Sequence, residues 1–401
     1  MSENRRDRFR KFLTALSLAP PSDPDGATDV YVKRPDLAAA EQIAARLEID
    51  PASSHLLVGG IGCGKTTQLY LIERRLRAVG DVRPIYVDVA VSHDLQKMRP
   101  GVLFALTGLA IAAGLQRPQG PVAEAVTTFV EWAHGTNATR EFPVAGIAPP
   151  PVDLNSSEWR PGILTPPNQF EGDLASMMRP FRLLVLAAVQ SVPHVVMLFD
   201  SLDRLTARPD FIASIQPDID AFASSGVGVV VVAPLSVMFG PGRIVLDRFT
   251  SLHRVPAVDP RSLDGGSFLA EVLRRRLPED VLRLLARDRI ISSSGGVLRD
   301  LLWLTHNAVQ NAYVSGKDTV DVDHVDIAAE ALGRQLLYGV PDDKIKILQG
   351  VRGSSDFTPV SEAEIDLVAF RQIVEYLAGG RPRYVVHPAI EPLLRTLSVQ
   401  K

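Results

Sequence analysis

The sequence predicts an α/β protein whose core is a parallel β-sheet with helices on both faces. Short, almost wholly apolar runs alternate with segments whose apolar residues recur at helical spacing, and the strands of a covered parallel sheet have this composition. The 401 residues, of which 46% are hydrophobic and 22% charged, suffice for two or three domains with a substantial core. We place the strands at 55–58, 84–89, 194–199, 227–233 and 252–255, and the helices around them at 69–79, 101–115, 122–134, 173–190 and 209–223.

Composition shifts divide the chain into four predicted parts. They are, in chain order, a basic N-terminal helix with a linker (1–28), an α/β core (29–260), a helical region (261–338) and a small C-terminal module (339–401). Prolines punctuate the stretch 116–170, which we interpret as an insertion in the core. Gly379 and Gly380 separate two β-rich runs and predict a hairpin in the C-terminal module.

Charge and cysteine content exclude some classes of protein. The formal net charge of -3 and the pI of about 6.3 argue against a surface that is basic all over, although they allow a local basic patch. Cys63 is the only cysteine, so an internal disulfide is excluded and a reducing, cytoplasmic location is expected. The uncharged run 101–115 is shorter than the roughly 17–25 residues that span a bilayer, so we expect a buried helix and no membrane contact.

Residues 59–66 read GGIGCGKT and match the pattern G-x-x-x-x-G-K-[ST] at every fixed position. A predicted strand precedes the motif and an amphipathic helix follows it, which is the context that a phosphate-binding loop requires. The glycines let backbone N–H groups point at phosphate oxygens, and the N-terminal end of the helix faces the same anion. The residues expected to contact the nucleotide are Gly60, Ile61, Gly62, Cys63, Gly64, Lys65, Thr66 and Thr67.

Two side chains of this loop have predicted chemical roles. Lys65 reaches the β- and γ-phosphates, and the Thr66 hydroxyl is a ligand of Mg²⁺. We expect the Lys65 ammonium to face solvent, so that its removal has little effect on packing. Cys63 is small enough for the loop, and a thiol beside phosphates is a candidate for alkylation.

A second metal-binding element is predicted at Asp200, where the apolar run VVMLF ends in a carboxylate. This Walker B arrangement makes Asp200 a ligand of Mg²⁺ together with Thr66. The strand 84–89 lies between the two elements in sequence, as in ATPases with a further strand inserted between the loop strand and the Walker B strand. The sequence lacks the N-K-x-D motif for guanine, so we expect ATP and Mg²⁺ as the bound cofactors.

The segment DSLDR, residues 200–204, is similar to the D-x-L-D-R of STAND and KAP ATPases and to the D-E-x-D of origin-recognition AAA+ proteins. The resemblance covers roughly residues 30–335. It implies a P-loop NTPase fold of the AAA+ type with a helical lid, ATPase activity and assembly into homo-oligomers. The AAA+ enzymes have a glutamate after the aspartate to polarise the attacking water, whereas this chain has Ser201. Either Asp203 substitutes for that glutamate, or hydrolysis is slow.

The same resemblance implies an arginine finger and two sensors. An arginine before the fifth strand of AAA+ proteins enters the neighbouring subunit's site, and the segment LDRF makes Arg248 the first candidate and Arg243 the second. Ser236, which follows the fourth strand, is the candidate sensor of the γ-phosphate. The segment GGVLRD resembles the lid motif whose arginine reaches back to the nucleotide, which makes Arg299 the second sensor.

Two interpretations stay open in the C-terminal third of the chain. Arg299 is either this sensor or the partner of Asp300 or Glu330 in an ion pair. The hairpin at 376–388 suggests the wing of a winged-helix module, and such modules bind DNA, dock proteins or close the ATPase. His387 has no Cys or His partners at metal-site spacing, so we interpret it as structural and not as a metal ligand.

The leading hypothesis is an ATP-hydrolysing protein whose nucleotide state controls its oligomeric assembly and its engagement of a partner, either a protein or DNA. The alternative is a nucleotide-gated switch that binds a protein partner with negligible ATPase activity, and Ser201 favours this alternative. A small-molecule kinase is a third class, which the lid and the module after the fifth strand disfavour. The sequence identifies neither the pathway nor the partner.

Overall fold

The computed structural model describes residues 4–17, 30–35, 39–134, 174–190, 192–205, 211–239, 248–352 and 357–399. The chain divides into two compact units, each built from separate stretches of sequence. The sheet unit comprises Ala39–Val58 and Gln68–His253, and the lid unit comprises Met1–Ala38, Gly59–Thr67 and Arg254–Lys401. The predicted linker from 18 onward, the stretch 135–170 of the predicted insertion, and Arg243 lie outside the described residues.

Strands and helices occur where the periodicity predicts them. The strands are β1 (Ser54–Val58), β2 (Val82–Asp88), β3 (His194–Asp200), β4 (Gly228–Ala233), β5 (Ser251–Arg254), β6 (Ile373–Ala378) and β7 (Arg381–Val386). The helices before β5 are α1 (Arg5–Ala15), α2 (Ala39–Ile49), α3 (Lys65–Val79), α4 (Val89–Ser92), α5 (Val102–Ala113), α6 (Pro121–His134), α7 (Leu174–Val189) and α8 (Phe211–Ser224). The later helices are α9 (Leu263–Arg274), α10 (Leu284–Ser293), α11 (Leu298–Val314), α12 (Val322–Leu337), α13 (Asp342–Arg352), α14 (Glu362–Ala369) and α15 (Glu391–Val399).

The main sheet has the strand order β2–β3–β4–β1–β5, and the β1–β4, β3–β4 and β2–β3 pairs are parallel. Every residue of β4 is buried, whereas burial is interrupted along the edge strand β2, and this difference explains why β4 is uniformly apolar. The strand between β1 and β3 in space is β4. The inserted strand is therefore present, but it is not the segment 84–89 that lies between the two elements in sequence.

The apolar run 101–115 forms α5, a helix buried along most of its length. The Asp218 carboxylate of α8 caps its N-terminus by accepting hydrogen bonds from the backbone N–H groups of Gly101, at 2.5 Å, and Leu103, at 2.9 Å. Burial raises the Asp218 pKa to about 7 although these hydrogen bonds act in the opposite direction. Within the described ranges, no helix is both long and apolar enough to cross a membrane.

The lid unit is helical from α9 to α12 and then contains the β6–β7 hairpin, as the sequence predicts. The hairpin is antiparallel, and its turn consists of Gly379 and Gly380, whose positive φ angles of 57° and 80° favour glycine. The N-terminal helix α1 packs on α11, with 5.1 Å between the ring centroids of Phe9 and Tyr313. The four domain boundaries and the winged-helix character of the C-terminal module stay predictions.

Candidate nucleotide-binding site

The phosphate loop begins directly after β1, at Gly59, and ends where α3 begins at Lys65. Gly62 and Gly64 have left-handed backbone angles, with φ of 82° and 97°, which residues with a Cβ rarely adopt. A Cβ on Gly62 would lie only 2.6 Å from the Cβ of Arg299, so an added methyl group would force a shift. The left-handed angles explain why positions 62 and 64 are glycines, and at position 62 the neighbouring Arg299 of the same unit also leaves no room for a Cβ.

The Lys65 ammonium lies inside the loop. Its Nζ donates hydrogen bonds to the carbonyl oxygens of Gly59, at 2.9 Å, and Gly60, at 2.8 Å, and the residue is only 5% exposed. The prediction that Lys65 faces solvent is therefore wrong. The curled loop turns two carbonyl groups toward the end of its own lysine, and a buried ammonium needs such acceptors.

Arg34 fastens the loop to the segment after β5, and no sequence motif identified it. Its Nη1 donates to the carbonyl oxygen of Cys63 at 2.9 Å, and its Nη2 donates to that of Pro256 at 3.0 Å. Hydrogen bonds from a charged donor are each worth about 1.5–3 kcal/mol, and Arg34 is buried. Burial also raises the pKa of the Cys63 thiol, against the effect of Lys65 and Arg34, so alkylation at this position is disfavoured.

Asp200 ends β3 with a carboxylate that is held on both sides. Its Oδ1 accepts from the Ser201 backbone N–H at 2.7 Å, and its Oδ2 accepts from the Tyr86 hydroxyl at 2.9 Å. The Tyr86 ring stacks on Tyr70 with 5.0 Å between centroids, and burial together with the Asp200 charge raises the pKa of the Tyr86 phenol. Tyr86 therefore stays protonated and donates. Sequence reasoning missed this residue, because one tyrosine inside a strand has no distinguishing pattern.

The ends of β1 and β3 meet at one edge of the main sheet. Val58, the last residue of β1, pairs with Ala233 of β4, and Phe199 of β3 pairs with Val231 of the same strand. Because the strands are parallel, Asp200 and Val58 leave the sheet at the same edge. This is the arrangement that the Walker B prediction requires of the two strands.

Ser201, the residue in place of the expected glutamate, is buried and has a left-handed backbone with φ of 69°. Non-glycine residues in this conformation are strained and occur often at functional sites. Asp203 follows in the short 3₁₀ turn Leu202–Arg204, where it is partly buried. Its role in hydrolysis stays a prediction.

Arg248 lies just before β5 and contacts Asp220 of α8. The Nη1–Oδ1 distance is 3.8 Å, and the two side chains are 57% and 54% exposed. An exposed ion pair of this length contributes about 0–1 kcal/mol, so it is easily exchanged for another partner. Ser236, the predicted first sensor, lies in the 3₁₀ turn Leu235–Met238 directly after β4.

The first turn of α11 brings Arg299 onto the phosphate loop. Its backbone N–H donates to the carbonyl oxygen of Gly62 at 3.1 Å. The two alternative ion-pair partners are engaged with other arginines, since Asp300 pairs with Arg371 at 2.5 Å and Glu330 pairs within its own helix at 2.5 Å. The contact is made by the backbone N–H, and the sensor role of the Arg299 guanidinium stays a prediction. Among the described residues, no group of His, Cys, Asp and Glu side chains has the arrangement of a metal site.

No protein-family model matches the chain, and no curated protein matches it. Among solved structures it is similar to the Aeropyrum pernix ORC2 protein in its ADPNP and ADP complexes, with 13% identity and a TM-score of 0.47 over 92% of this chain and 97% of that chain. The ORC1 protein of the same organism in complex with DNA has 16% identity and a TM-score of 0.45, over 96% of both chains. The RuvB Holliday junction branch migration motor of Thermotoga maritima has 15% identity and a TM-score of 0.39, over 91% of this chain and 98% of that chain.

Similarities of this size do not establish an activity. The fold is assigned from features of the chain itself. The glycine loop follows β1, β4 separates β1 from the strand that ends in Asp200, and helices α9–α12 follow β5. By these features the chain has an α/β P-loop fold with a helical region after the sheet, as the sequence predicts.

Proposed function

We propose that this chain binds ATP with Mg²⁺ and that its nucleotide state controls its assembly and its engagement of a partner. The observation that carries the proposal is the phosphate loop, in which Gly62 and Gly64 turn the backbone and the Lys65 ammonium points at loop carbonyls. Phosphate oxygens are stronger acceptors for an ammonium than neutral carbonyl groups, because both partners are then charged. The loop residues therefore fit a nucleoside triphosphate.

The protein groups around the nucleotide have distinct roles in this proposal. Lys65 exchanges the carbonyls of the loop for oxygens of the β- and γ-phosphates, and residues 60–67 contribute their backbone N–H groups. Thr66 and Asp200 would hold Mg²⁺ through oxygen atoms, which this ion prefers, and the ion would supply positive charge against the phosphates. Tyr86 fixes the Asp200 carboxylate through its hydrogen bond, and such outer contacts commonly orient metal ligands.

Hydrolysis is slow in this proposal, because the Ser201 hydroxyl is not a base at neutral pH. Asp203 orients the attacking water in its place. Arg299 supplies a second cation from the lid, and Arg248 supplies a third from a neighbouring subunit. Arg248 suits that role because its side chain is more than half exposed and its ion pair with Asp220 is long.

Assembly into a homo-oligomer follows from the role of Arg248. A protein is the first partner class in this proposal. DNA is the second class, and the hairpin supports it because Arg381 is exposed beside its turn and arginines of this kind contact phosphates. We place the activity in the cytoplasm, in agreement with a chain whose single cysteine is buried and unpaired with another cysteine.

A switch with negligible catalysis is the second candidate function. Ser201 favours it, because this residue is buried and its backbone is committed to a left-handed turn next to Asp200. Such a protein would bind ATP and exchange it for ADP without hydrolysing it at a useful rate. Its partner would then be released by exchange and not by turnover.

Calorimetric titration of the full chain with ATP tests nucleotide binding, and steady-state turnover with and without DNA separates the two candidates. We expect ATP affinity that depends on Mg²⁺ and turnover that is slow but measurable and that responds to DNA. Tight binding without turnover would support the switch. Absence of ATP binding at millimolar concentration would contradict both.

A further inference from the structure

A buried ion cluster lies one residue beyond Arg299. Asp300 of α11 is 2% exposed, and its Oδ1 accepts a hydrogen bond from Nη1 of Arg371 at 2.5 Å. Its Oδ2 lies 3.3 Å from Nε2 of His387, which is fully buried. Arg371 comes just before β6 and His387 just after β7, so the two partners flank the C-terminal hairpin.

The backbone of Arg371 is strained, which indicates that the cluster holds this residue in place. Its φ of 71° is left-handed, a conformation that an arginine rarely adopts without compensation. The compensation visible in the structure is the ion pair with Asp300. Because a buried carboxylate is strongly destabilised without a partner, the pair holds the hairpin and α11 together.

The hairpin also fixes the turn that leads into α11. The Tyr376 hydroxyl donates to the carbonyl oxygen of Gly295 at 2.8 Å. The start of α11 therefore has two supports. One is the hydrogen bond of Arg299 to Gly62, and the other is the C-terminal hairpin.

We propose that Asp300, Arg371 and His387 are positioning residues for Arg299, so that the C-terminal hairpin is a structural part of the nucleotide sensor. Asp300 and Arg299 share one helical turn, and a displacement of the anchored carboxylate moves the neighbouring arginine on the loop. This inference rests on the sensor role proposed for Arg299. It adds a consequence, because a partner that moves the hairpin changes nucleotide affinity, and nucleotide changes partner affinity by the same factor.

The readout must separate this role from a merely structural one. The backbone N–H groups of the loop contact phosphates that ATP and ADP share, and Lys65 is unchanged in all of the variants compared. A sensor arginine acts on the γ-phosphate, which only ATP has. The ratio of the ADP Kd to the ATP Kd therefore reports on the position of Arg299. A general loosening of the fold would weaken both nucleotides together.

The experiment measures both Kd values by calorimetry, with Mg²⁺, for the full chain and for Asp300→Asn, Arg371→Met, Arg371→Lys and Arg299→Ala. We expect Asp300→Asn and Arg371→Met to lower the ratio by about tenfold, a typical coupling, and the lysine variant to lie between them and the wild type. The double variant Arg299→Ala/Arg371→Met should have the same Kd ratio as Arg299→Ala alone, because both changes remove the same contribution of Arg299 to that ratio. Lys344→Met is the matched control, since it breaks the 2.8 Å ion pair of Lys344 with Asp366 inside the C-terminal module.

Failure of this inference is distinguishable from failure of the proposed function. A wild-type ratio in every folded variant of Asp300 and Arg371, while Arg299→Ala lowers the ratio, overturns the inference alone. An equal loss in Lys344→Met also overturns it. A wild-type ratio in Arg299→Ala overturns both the inference and the sensor role, whereas nucleotide binding itself is tested separately at Lys65.

Discussion

The backbone N–H of Arg299 donates a hydrogen bond to the carbonyl oxygen of Gly62 across 3.1 Å. The lid helix α11 therefore starts directly on the phosphate loop, within one compact unit of the chain. Because Leu298, the preceding residue, would also be 3.2 Å from a Cβ on Gly64, the helix and the loop constrain each other at two successive positions.

Gly62→Ala should weaken ATP binding by about tenfold or more, which corresponds to about 1.4 kcal/mol. The new Cβ would lie 2.6 Å from that of Arg299, so the loop or the helix must move. Gly316→Ala is the matched control, because Gly316 also has a left-handed φ, of 76°, but has no atom within 4 Å of the added Cβ. The left-handed backbone alone costs each alanine about 1–2 kcal/mol of stability, and only Gly62→Ala should change the Kd. Equal ATP affinities in the two variants would contradict the contact.

Ser201→Glu should raise the single-turnover rate of hydrolysis by about tenfold, or about 1.4 kcal/mol off the barrier. The new carboxylate would occupy the position from which AAA+ enzymes polarise water. Ser201→Gln, which has nearly the same shape without the charge, is the control. A large loss in Asp203→Asn is expected as well, because Asp203 orients the water in this proposal. No gain with glutamate would show that the missing carboxylate at position 201 does not limit hydrolysis, and would contradict the prediction.

Arg248→Ala and Lys65→Ala proteins, each inactive alone, should recover ATPase activity when they are mixed. A mixed interface joins an intact phosphate loop to an intact Arg248, and an arginine finger is worth roughly 10³–10⁵ in rate. Recovery should rise with protein concentration. Asp220→Ala is the control, since it removes the 3.8 Å ion pair of Arg248 but keeps the guanidinium. Full, concentration-independent activity of Arg248→Ala would exclude the oligomeric mechanism and favour a monomeric switch.

His55 predicts a pH dependence of stability on the acid side. The side chain is buried, with Nε2 2.9 Å from the Ser53 hydroxyl and Nδ1 2.7 Å from the Ser251 hydroxyl. Burial lowers its pKa from 6.5 to about 4, and the charges of His253 and Arg46 act in the same direction. The pKa of His55 is lower in the folded chain than in the unfolded chain, so protonation of His55 favours unfolding. The stabilisation is present above about pH 6.5 and is lost as the pH falls through 4.

Denaturant unfolding of the wild type and of His55→Gln measures this contribution. Glutamine keeps a donor and an acceptor near the two hydroxyl groups but does not titrate. The free energy of unfolding of the wild type should fall relative to the variant by about 2–3 kcal/mol between neutral pH and about pH 4. A constant difference between the two proteins over this range would show that His55 is not the responsible group.

Local patterns in the sequence predict most of the fold and part of the site. The loop at 59–66 has a fixed spacing, and Asp200 ends an apolar run, so each is recognisable within a few residues. Helix and strand periods are likewise local properties of the chain. The order of strands in space is not local, which is why β4, and not the segment 84–89, separates β1 from β3.

The residues that support the site could not be predicted, because the folded chain brings them together from distant positions. Arg34 reaches the loop from the N-terminal segment, and Arg371 reaches Asp300 from the C-terminal hairpin. Neither has a spacing rule that links it to its partner. The burial of Lys65 differs from the prediction for a related reason, since the curvature of the loop determines where its carbonyl groups point.

The most direct test of nucleotide binding at this loop is calorimetric titration of Lys65→Ala with Mg·ATP, with the fold of the variant checked by circular dichroism. Lys65 is buried, so thermal unfolding should show a modest loss of stability, while the ammonium that would bind phosphate is removed. We predict a loss of about 2–3 kcal/mol in binding, or on the order of a hundredfold in Kd. A folded Lys65→Ala protein that binds Mg·ATP as tightly as the wild type would contradict the assignment of the phosphate loop.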